Sequence, residues 1–375
     1  MSNESLPGWF HAALDILARQ RATGEPLASV VNAICRTRRF GPRERKQIGD
    51  TVFAYARNQH TIDTQIAEQQ STRGGIAPSR RDQDQHALQL ALELPPLQKE
   101  GGGGFPPWFT DALHRDYGNQ ADALAQALNQ RAFPILAIDR RLTTQAEVLA
   151  TLTNVGIDAE PSPLAPNAIR LKSHHVALSK LPKPLQDAVW LMDEASQIAA
   201  ATVQAKPGER VLDYCAGGGG KTRYLLQTGA QIDAMDIDAK RIAQSLKRDG
   251  LKEARHIVAD GLHPPFPSGT FDWILLDAPC SGTGTLRRAP DLLSRLKPED
   301  IPQYAERQKE LLAAAEKLLK PSGTLVYATC SVLRAENQDV VADVGKMGMR
   351  VVSQMQLLPS IEGCDGFFVA VIRKI

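Results

Sequence analysis

The stretch Val211-Leu-Asp-Tyr-Cys-Ala-Gly-Gly-Gly-Gly-Lys-Thr222 decides the fold. A short apolar run, an acid, four glycines and a helix-compatible segment describe a strand that turns tightly into a helix. Glycines let the backbone approach a ligand closely, and the helix start offers free N–H groups. A phosphate-cradling P-loop needs glycine where this chain has Cys215. The dinucleotide fingerprint is not met cleanly either, since Cys215 or Ala216 takes its first-glycine position. Further apolar runs follow at 232–235, 256–258, 273–276, 324–328 and 367–372, with helical stretches such as 239–249 and 305–319 between them. Strands alternating with helices imply an α/β domain over 186–375, built on a mostly parallel, doubly wound sheet. Ligands bind such sheets at the carboxyl ends of the strands, so the residues after each strand carry the function.

The run at 232–235 ends in Asp236, 19 positions after Gly217. An acid about 20 positions past a glycine loop holds ribose hydroxyls in nucleoside ligands, and the spacing favours that role over a solvated strand end. Asp260-Gly261 follows the next run; its acid can accept from an adenine amine, a reading evenly balanced against a plain turn. The fourth run ends in Asp277-Ala-Pro-Cys280-Ser-Gly-Thr-Gly284 and the fifth in Ala328-Thr-Cys330-Ser331. A single free cysteine is normally a small core hydrophobe. Two of them at strand ends, beside an aspartate and a nucleoside-type loop, weaken that reading. They lie 50 positions apart, which is no Cys-x-x-Cys metal or redox site. No metal is expected: His174 and His175 are adjacent and point apart on any regular element, and the other histidines are scattered. A Gly-x-Ser-x-Gly nucleophile elbow is absent.

Five cysteines in 375 residues are too few, and odd in number, for a disulfide scaffold, so a reduced, cytoplasmic setting is expected. Lys and Arg total 44 against 42 Asp and Glu, which excludes a polycationic coat but not a local basic face. No apolar run reaches the ~18 residues of a membrane span. The first 20 residues carry acids and lack an apolar stretch, so no signal peptide is expected. Upstream of the sheet, Leu14, Ile16, Leu17, Val30, Val31 and Ile34 recur at helical steps, as do Ile48, Val52, Phe53, Tyr55 and Ala56, giving a helical domain over 1–100. Gly101 to Gly104 and Pro106-Pro107 read as a linker. Over 105–185, helices near 108–117, 121–130 and 145–155 alternate with short strands at 135–138 and 168–171, a small α+β module.

At this point the chain resembles the RsmB/Sun family of RNA 5-methylcytosine methyltransferases. The resemblance is carried, in the family's order, by the stretch 211–222, Met235-Asp-Ile-Asp-Ala-Lys-Arg241, Phe271-Asp-Trp-Ile-Leu-Leu-Asp-Ala-Pro-Cys-Ser-Gly-Thr-Gly284, Leu325-Val-Tyr-Ala-Thr-Cys-Ser-Val332 and Asp365-Gly-Phe-Phe368. It extends more weakly to Pro106-Pro-Trp108 through Pro163 and to Asp193-Glu-Ala-Ser-Gln197. The resemblance implies a Rossmann-like methyltransferase domain using S-adenosylmethionine, a small RNA-binding α+β module before it, and an all-helical, NusB-like N-terminal domain. It implies that Cys215, Ala216, Gly217, Gly218, Gly219, Gly220 and Lys221 lie against the cofactor's methionine end and ribose. Asp236 would bind the ribose hydroxyls, Asp260 the adenine, and Asp277 would lie between cofactor and target base. Cys330 aligns with the family's nucleophile, and Cys280 with the cysteine that assists product release. In two places the chain departs from the family: Gly217-Gly218 replaces the usual Ala-Pro, and Met192 a common Gln. Losing proline frees a backbone angle, so a looser cofactor loop is expected.

Carbon 5 of cytosine is a poor nucleophile, and addition of a thiolate at carbon 6 makes it enamine-like. The base must be unpaired or flipped out to react. Phosphate contacts need local positive charge. Arg36, Arg38, Arg39, Arg43, Arg45 and Lys46 face only Glu44 within 36–46, evenly balanced between RNA contact and a solvated face. Arg287-Arg288, just after the fourth-strand loop, are better placed. The expected partner is RNA, ribosomal RNA first and transfer RNA second, with the protein a monomer away from membranes. The altered glycine loop leaves an alternative: a catalytically weakened RNA-binding or ribosome-assembly factor that keeps the fold.

Overall fold

Apolar side chains at three- and four-residue steps make the first part of the chain helical, as α1 (Gly8–Thr23), α2 (Leu27–Thr37), α3 (Pro42–Arg73), α4 (Arg80–Glu93), α5 (Pro107–Tyr117) and α6 (Ala121–Leu128). The structure is a computed structural model describing residues 6–73, 78–93, 104–173, 178, 181–247, 249–360 and 363–375. The expected linker before Gly104 and the His174-His175 pair lie outside the described residues. α1 stops at Gly24, whose φ of 66° lets its N–H return to the Gln20 carbonyl. Phe10, Leu14, Leu17, Val30, Ile48, Val52, Ile62 and Leu88 form one buried core.

The chain divides into two compact units, Met1–Arg131 with Thr285–Pro298, and Ala132–Gly284 with Glu299–Ile375. Beyond joining 132–185 to the rest of the sheet unit, this division departs from the expected 1–100, 105–185 and 186–375 in two places. Helices α5 and α6 group with the first four, and 285–298 leaves the sheet unit altogether. Hydrogen bonds explain the second departure. The first N–H groups of a helix have no partner within it. The Leu27 N–H at the start of α2 is buried and donates to Asp291 Oδ2 at 3.0 Å, while the Arg57 guanidinium donates to the Arg287 carbonyl at 3.3 Å.

The second unit opens with an antiparallel sheet of order β2-β3-β1-β4: β1 (Ile135–Ile138), β2 (Ala159–Pro161), β3 (Ile169–Leu171) and β4 (Val189–Leu191). It packs on α7 (Gln145–Asn154), which Thr144 and Glu147 start with a reciprocal capping box, and on Leu185 of α8 (Lys183–Ala188). Then come α9 (Glu194–Ala201), β5 (Arg210–Asp213), α10 (Gly220–Leu225), β6 (Gln231–Asp236), α11 (Ala239–Leu246), β7 (Arg255–Val258), β8 (Phe271–Asp277), α12 (Asp300–Leu318), β9 (Leu319–Thr329), α13 (Gln338–Val341), β10 (Met349–Leu357) and β11 (Phe367–Lys374). The seven strands order as β10-β11-β9-β8-β5-β6-β7; β9, β8, β5, β6 and β7 run parallel, and β11 and β10 are antiparallel additions. This is the Rossmann-like, doubly wound α/β sheet expected from the sequence. Alternate residues bury on opposite faces: Leu212, Met235, Ile274 and Leu325 under α12, and Val211, Ile232, Leu275 and Val326 under α9 and Leu225. β10 was not expected, because its residues are mostly exposed and show no apolar run. The strand order reverses at β5, which opens a crevice at the carboxyl ends of β5, β6 and β8. Among the described residues no helix is long and apolar enough to cross a membrane.

Candidate active site

The glycine loop closes over the end of β5. The Ala216 N–H donates to the Met235 carbonyl and the Gly219 N–H to the Ala216 carbonyl, at 2.9 and 3.0 Å. Gly217 and Gly219 have φ of 55° and 79°, a region side chains disfavour, and a Cβ on Gly219 would collide with Ser245 and Leu251. The Gly217 N–H donates to Asp236 Oδ2 and the Asp238 N–H to Oδ1, both at 2.8 Å. Asp236 is thus fixed at the end of β6 beside the loop, with the Arg241 guanidinium 3.9 Å from Oδ2. Gly217, where the chain departs from the family, supplies one of the bonds that anchor Asp236.

Loop and strand ends line a cleft of about 900 Å³ holding Cys215, Asp236, Asp260, Asp277, Cys280 and Cys330. All the residues expected at the cofactor, except Gly219, line it as well. Gly219 starts α10 beneath the loop. Asp260 accepts from the Leu262 N–H and from Arg307, each at 3.0 Å, and these bonds, the backbone one first, hold its carboxyl below the ordinary range. Cys215 is kept a neutral thiol by burial and by the carboxylates of Asp277, Asp236 and Asp213, all of which push its pKa up.

Lys221 projects from the first turn of α10 and donates to Asp277 Oδ2 at 2.6 Å, with its ammonium 5.2 Å from the Phe367 ring centre. Burial acts to lower its pKa, yet the Asp277 carboxylate, with Cys330 and Asp213 adding to it, raises it overall, so Lys221 stays a cation. Cys280 follows β8 and Cys330 follows β9, and their sulfurs lie 3.4 Å apart. The hydrogen bond with Cys330, burial and the charge of Glu336 together push Cys280 well above the ordinary thiol range. Two sequence-distant loops have therefore delivered a thiol pair beside an aspartate–lysine pair.

Sequence reasoning missed three residues of this cleft. Asp213, the last residue of β5, is buried, accepts from Thr222 at 2.7 Å through Oδ2, and has no partner on Oδ1 among the described residues. Burial pushes its carboxyl up to about 7 against the opposing Thr222 bond, with the Asp277 charge adding to the rise. Its place immediately before the glycine loop was the available signal. Arg307 and Tyr304 reach the cleft from α12, and nothing local in an amphipathic helix marks them. Among the described residues no three His, Cys, Asp or Glu side chains gather as metal ligands.

The expected RNA-contacting arginines lie in the other unit. Arg36, Arg38 and Arg39 are exposed; Arg38 pairs with Asp15 at 2.5 Å, and Arg39 takes a left-handed φ of 55°. Arg288 is exposed as well. Arg287 is corrected: it is 2% exposed, because 285–298 folds into the helical unit, so its guanidinium does not face a phosphate.

Sheet order, glycine loop and strand-end carboxylates together define a Rossmann-like methyltransferase. The chain belongs to the RsmB/F family: the family model for 16S rRNA methyltransferase RsmB/F matches residues 200–351, and that for the RsmF/B-like ferredoxin-like domain matches 105–177. Ribosomal RNA small subunit methyltransferase B of Xanthomonas campestris is 34% identical over 294 residues, 72% of this chain and 67% of that protein. The protein of the same name from Photorhabdus laumondii is 37% identical over 285 residues, and the match spans 66% of its length. Among solved structures, a methyltransferase homolog protein from Pyrococcus horikoshii is 26% identical, with TM-score 0.64 over 72% of this chain and 96% of that one. PH0851 matches the whole of both chains with TM-score 0.82 at 21% identity, a likeness of fold.

The family's methyl donor is S-adenosylmethionine, and the residues present fit it. Asp213, Asp236 and Asp260 set three carboxyls at successive strand ends, suited to a ligand bearing an amine and a ribose diol. Asp213 Oδ1 is an unused acceptor buried beside the loop, and the crowding at Gly219 keeps that loop down at the backbone.

Proposed function

We propose that this protein transfers a methyl group from S-adenosylmethionine to carbon 5 of a cytosine in ribosomal RNA, through a covalent bond between Cys330 and the base. The observation that carries this reading is the cysteine pair, 3.4 Å apart, within the cofactor cleft and beside Asp277. A methyltransferase acting on an exocyclic nitrogen has no use for two thiols there.

Glycine loop, Asp236 and Asp260 hold the cofactor, which when bound supplies an electrophilic methyl group. Cys330 adds as a thiolate to carbon 6 of the cytosine, and the electron pair displaced toward the ring makes carbon 5 nucleophilic. Charge grows at ring nitrogen 3, where a hydrogen bond from the Asp277–Lys221 pair stabilises it. After transfer, the carbon 5 proton passes to water, its electron pair re-forms the 5,6 double bond, the carbon–sulfur bond breaks and Cys330 departs as a thiolate. Cys280, in contact with Cys330, assists that departure. The glycine loop's hydrogen bonds to Met235 and Asp236 speak for a cofactor site over a merely RNA-binding role.

The test is mass spectrometry of nucleosides from small-subunit RNA incubated with the protein and labelled cofactor. The wild type should yield labelled 5-methylcytidine and Cys330→Ala none. Cys280→Ala should accumulate a protein–RNA adduct stable on a denaturing gel. Methylation surviving in Cys330→Ala sinks the assignment of the nucleophile, and label on another nucleoside sinks the reaction.

A further inference from the structure

The two cysteines sit on loops that follow neighbouring strands; the Ala278 N–H donates to the Ala328 carbonyl at 2.8 Å and the Gly284 N–H to the Cys330 carbonyl at 2.9 Å, and side chains complete the contact. Each cysteine is followed by a serine, and both serines converge on one carboxylate. The Ser281 hydroxyl donates to Glu336 Oε2 at 2.5 Å and the Ser331 hydroxyl to the same oxygen at 2.6 Å. The Ser281 N–H and Gln308 Nε2 donate to Oε1 at 2.7 and 3.1 Å. Gln308 also donates to the Pro279 carbonyl, one residue before Cys280, at 2.9 Å. Glu336, Ser331 and Gln308 are each 0% exposed.

Four donors fill the two oxygens of a carboxylate, all four are neutral, and no cation pairs with Glu336 among the described residues. A glutamine could accept with only one of its two terminal atoms, and its amide nitrogen would face two of these donors. The site is built for a carboxylate, which places a buried negative charge between the two cysteine loops. Cys280 directly precedes Ser281, whose N–H and hydroxyl both bind this carboxylate. The other groups around Cys280 are Cys330, Tyr327 on β9 and, in the same cleft, Asp277 and Lys221.

We propose that Glu336 is the positioning residue of the cysteine pair: it sets the two loops in register and, as a buried negative charge, keeps the proton of the pair on Cys280, so that Cys330 is the sulfur free to attack. The inference rests on the reading of Cys330 as nucleophile. It divides two otherwise similar thiols into one that adds and one that stays protonated.

The test uses the full chain without RNA or cofactor. Iodoacetamide alkylation of Cys280 and Cys330 is followed by peptide mass spectrometry from pH 6 to pH 11, since alkylation rate tracks the thiolate fraction. Glu336→Gln, with its unfolding midpoint measured alongside, should shift the Cys280 profile to lower pH and speed its alkylation several-fold at pH 8. A folded Glu336→Gln protein with the wild-type Cys280 profile overturns the proposal. Ser331→Ala is the second variant. It removes one donor and leaves the charge less compensated, so the Cys280 profile should move to higher pH, and no movement overturns the proposal should Glu336→Gln not fold. These profiles stand apart from methyl transfer: failure of the nucleoside assay would sink the reaction while leaving the thiol division measurable.

Discussion

Replacing Gly219 by alanine tests whether the glycine loop is shaped by sterics. Gly219 has φ of 79°, where an alanine costs roughly 1–2 kcal/mol in backbone strain. Its added Cβ would also collide with Ser245 Oγ and Leu251 Cδ1. Neither can swing aside: Ser245 is 1% exposed and hydrogen-bonded to His256 at 3.1 Å, and Leu251 is 0% exposed. Overpacking adds roughly 1–3 kcal/mol, for a total of about 2–5 kcal/mol. Gly208 supplies the matched control, with φ of 91° and nothing within 4 Å of the added atom, so Gly208→Ala should lose only the backbone part. Urea unfolding reads the stability of both variants, and calorimetric titration with S-adenosylmethionine reads the loop. Any strain the loop relieves by shifting should reappear as weaker binding, tenfold for each ~1.4 kcal/mol. A Gly219→Ala protein as stable as Gly208→Ala that binds cofactor with wild-type affinity would refute the reasoning.

Three further outcomes follow from the same coordinates. Gly217→Ala, which restores the family's residue, sits at φ 55° and brings Cβ 3.2 Å from Arg241 Nη2, the far end of a side chain 59% exposed that can move aside, so it should lose only the backbone part, roughly 1–2 kcal/mol, and keep cofactor affinity within a few-fold by titration. Asp213, pushed up to about 7 from 3.8, binds its proton more tightly folded than unfolded; stability is therefore lost as pH rises from about 4 to about 7, by up to ~4 kcal/mol at 1.36 per unit. The melting temperature of Asp213→Asn relative to wild type should accordingly be higher at pH 8 than at pH 5, and an equal gap at both contradicts the burial argument. Asp291→Ala leaves the buried Leu27 N–H without its acceptor and should lose about 1–3 kcal/mol in denaturant unfolding of the helical unit.

Much of the site was legible because a doubly wound sheet delivers strand ends to one crevice whatever the connecting loops do. Asp236, Asp277, Cys280 and Cys330 each end a run of buried apolar residues, and apolar runs are local facts. Asp260 and the glycine loop were placed by the same logic. Arg307 and Glu336 were not legible. Arg307 meets Asp260 47 residues away, and Glu336 joins nearby Ser331 to Ser281, 55 residues away; nothing in a helix pattern or a short turn says which distant group each will meet. Arg287 failed for a related reason: proximity in sequence to Cys280 suggested proximity in space, but the Leu27 N–H needed Asp291, and the segment went with it.

The sequence by itself determined the α/β class, the parallel core strands, the residues at their ends and the family. Those follow from periodicity and from motifs that fold locally. Only the tertiary structure decided that the two sulfurs touch, that Lys221 neutralises Asp277, that Glu336 ties both cysteine loops together, and that 285–298 belongs with the helices. Each of these brings together groups that lie tens to hundreds of residues apart in the chain. Such pairings are fixed by the requirement that buried donors and acceptors be satisfied once the whole chain is packed.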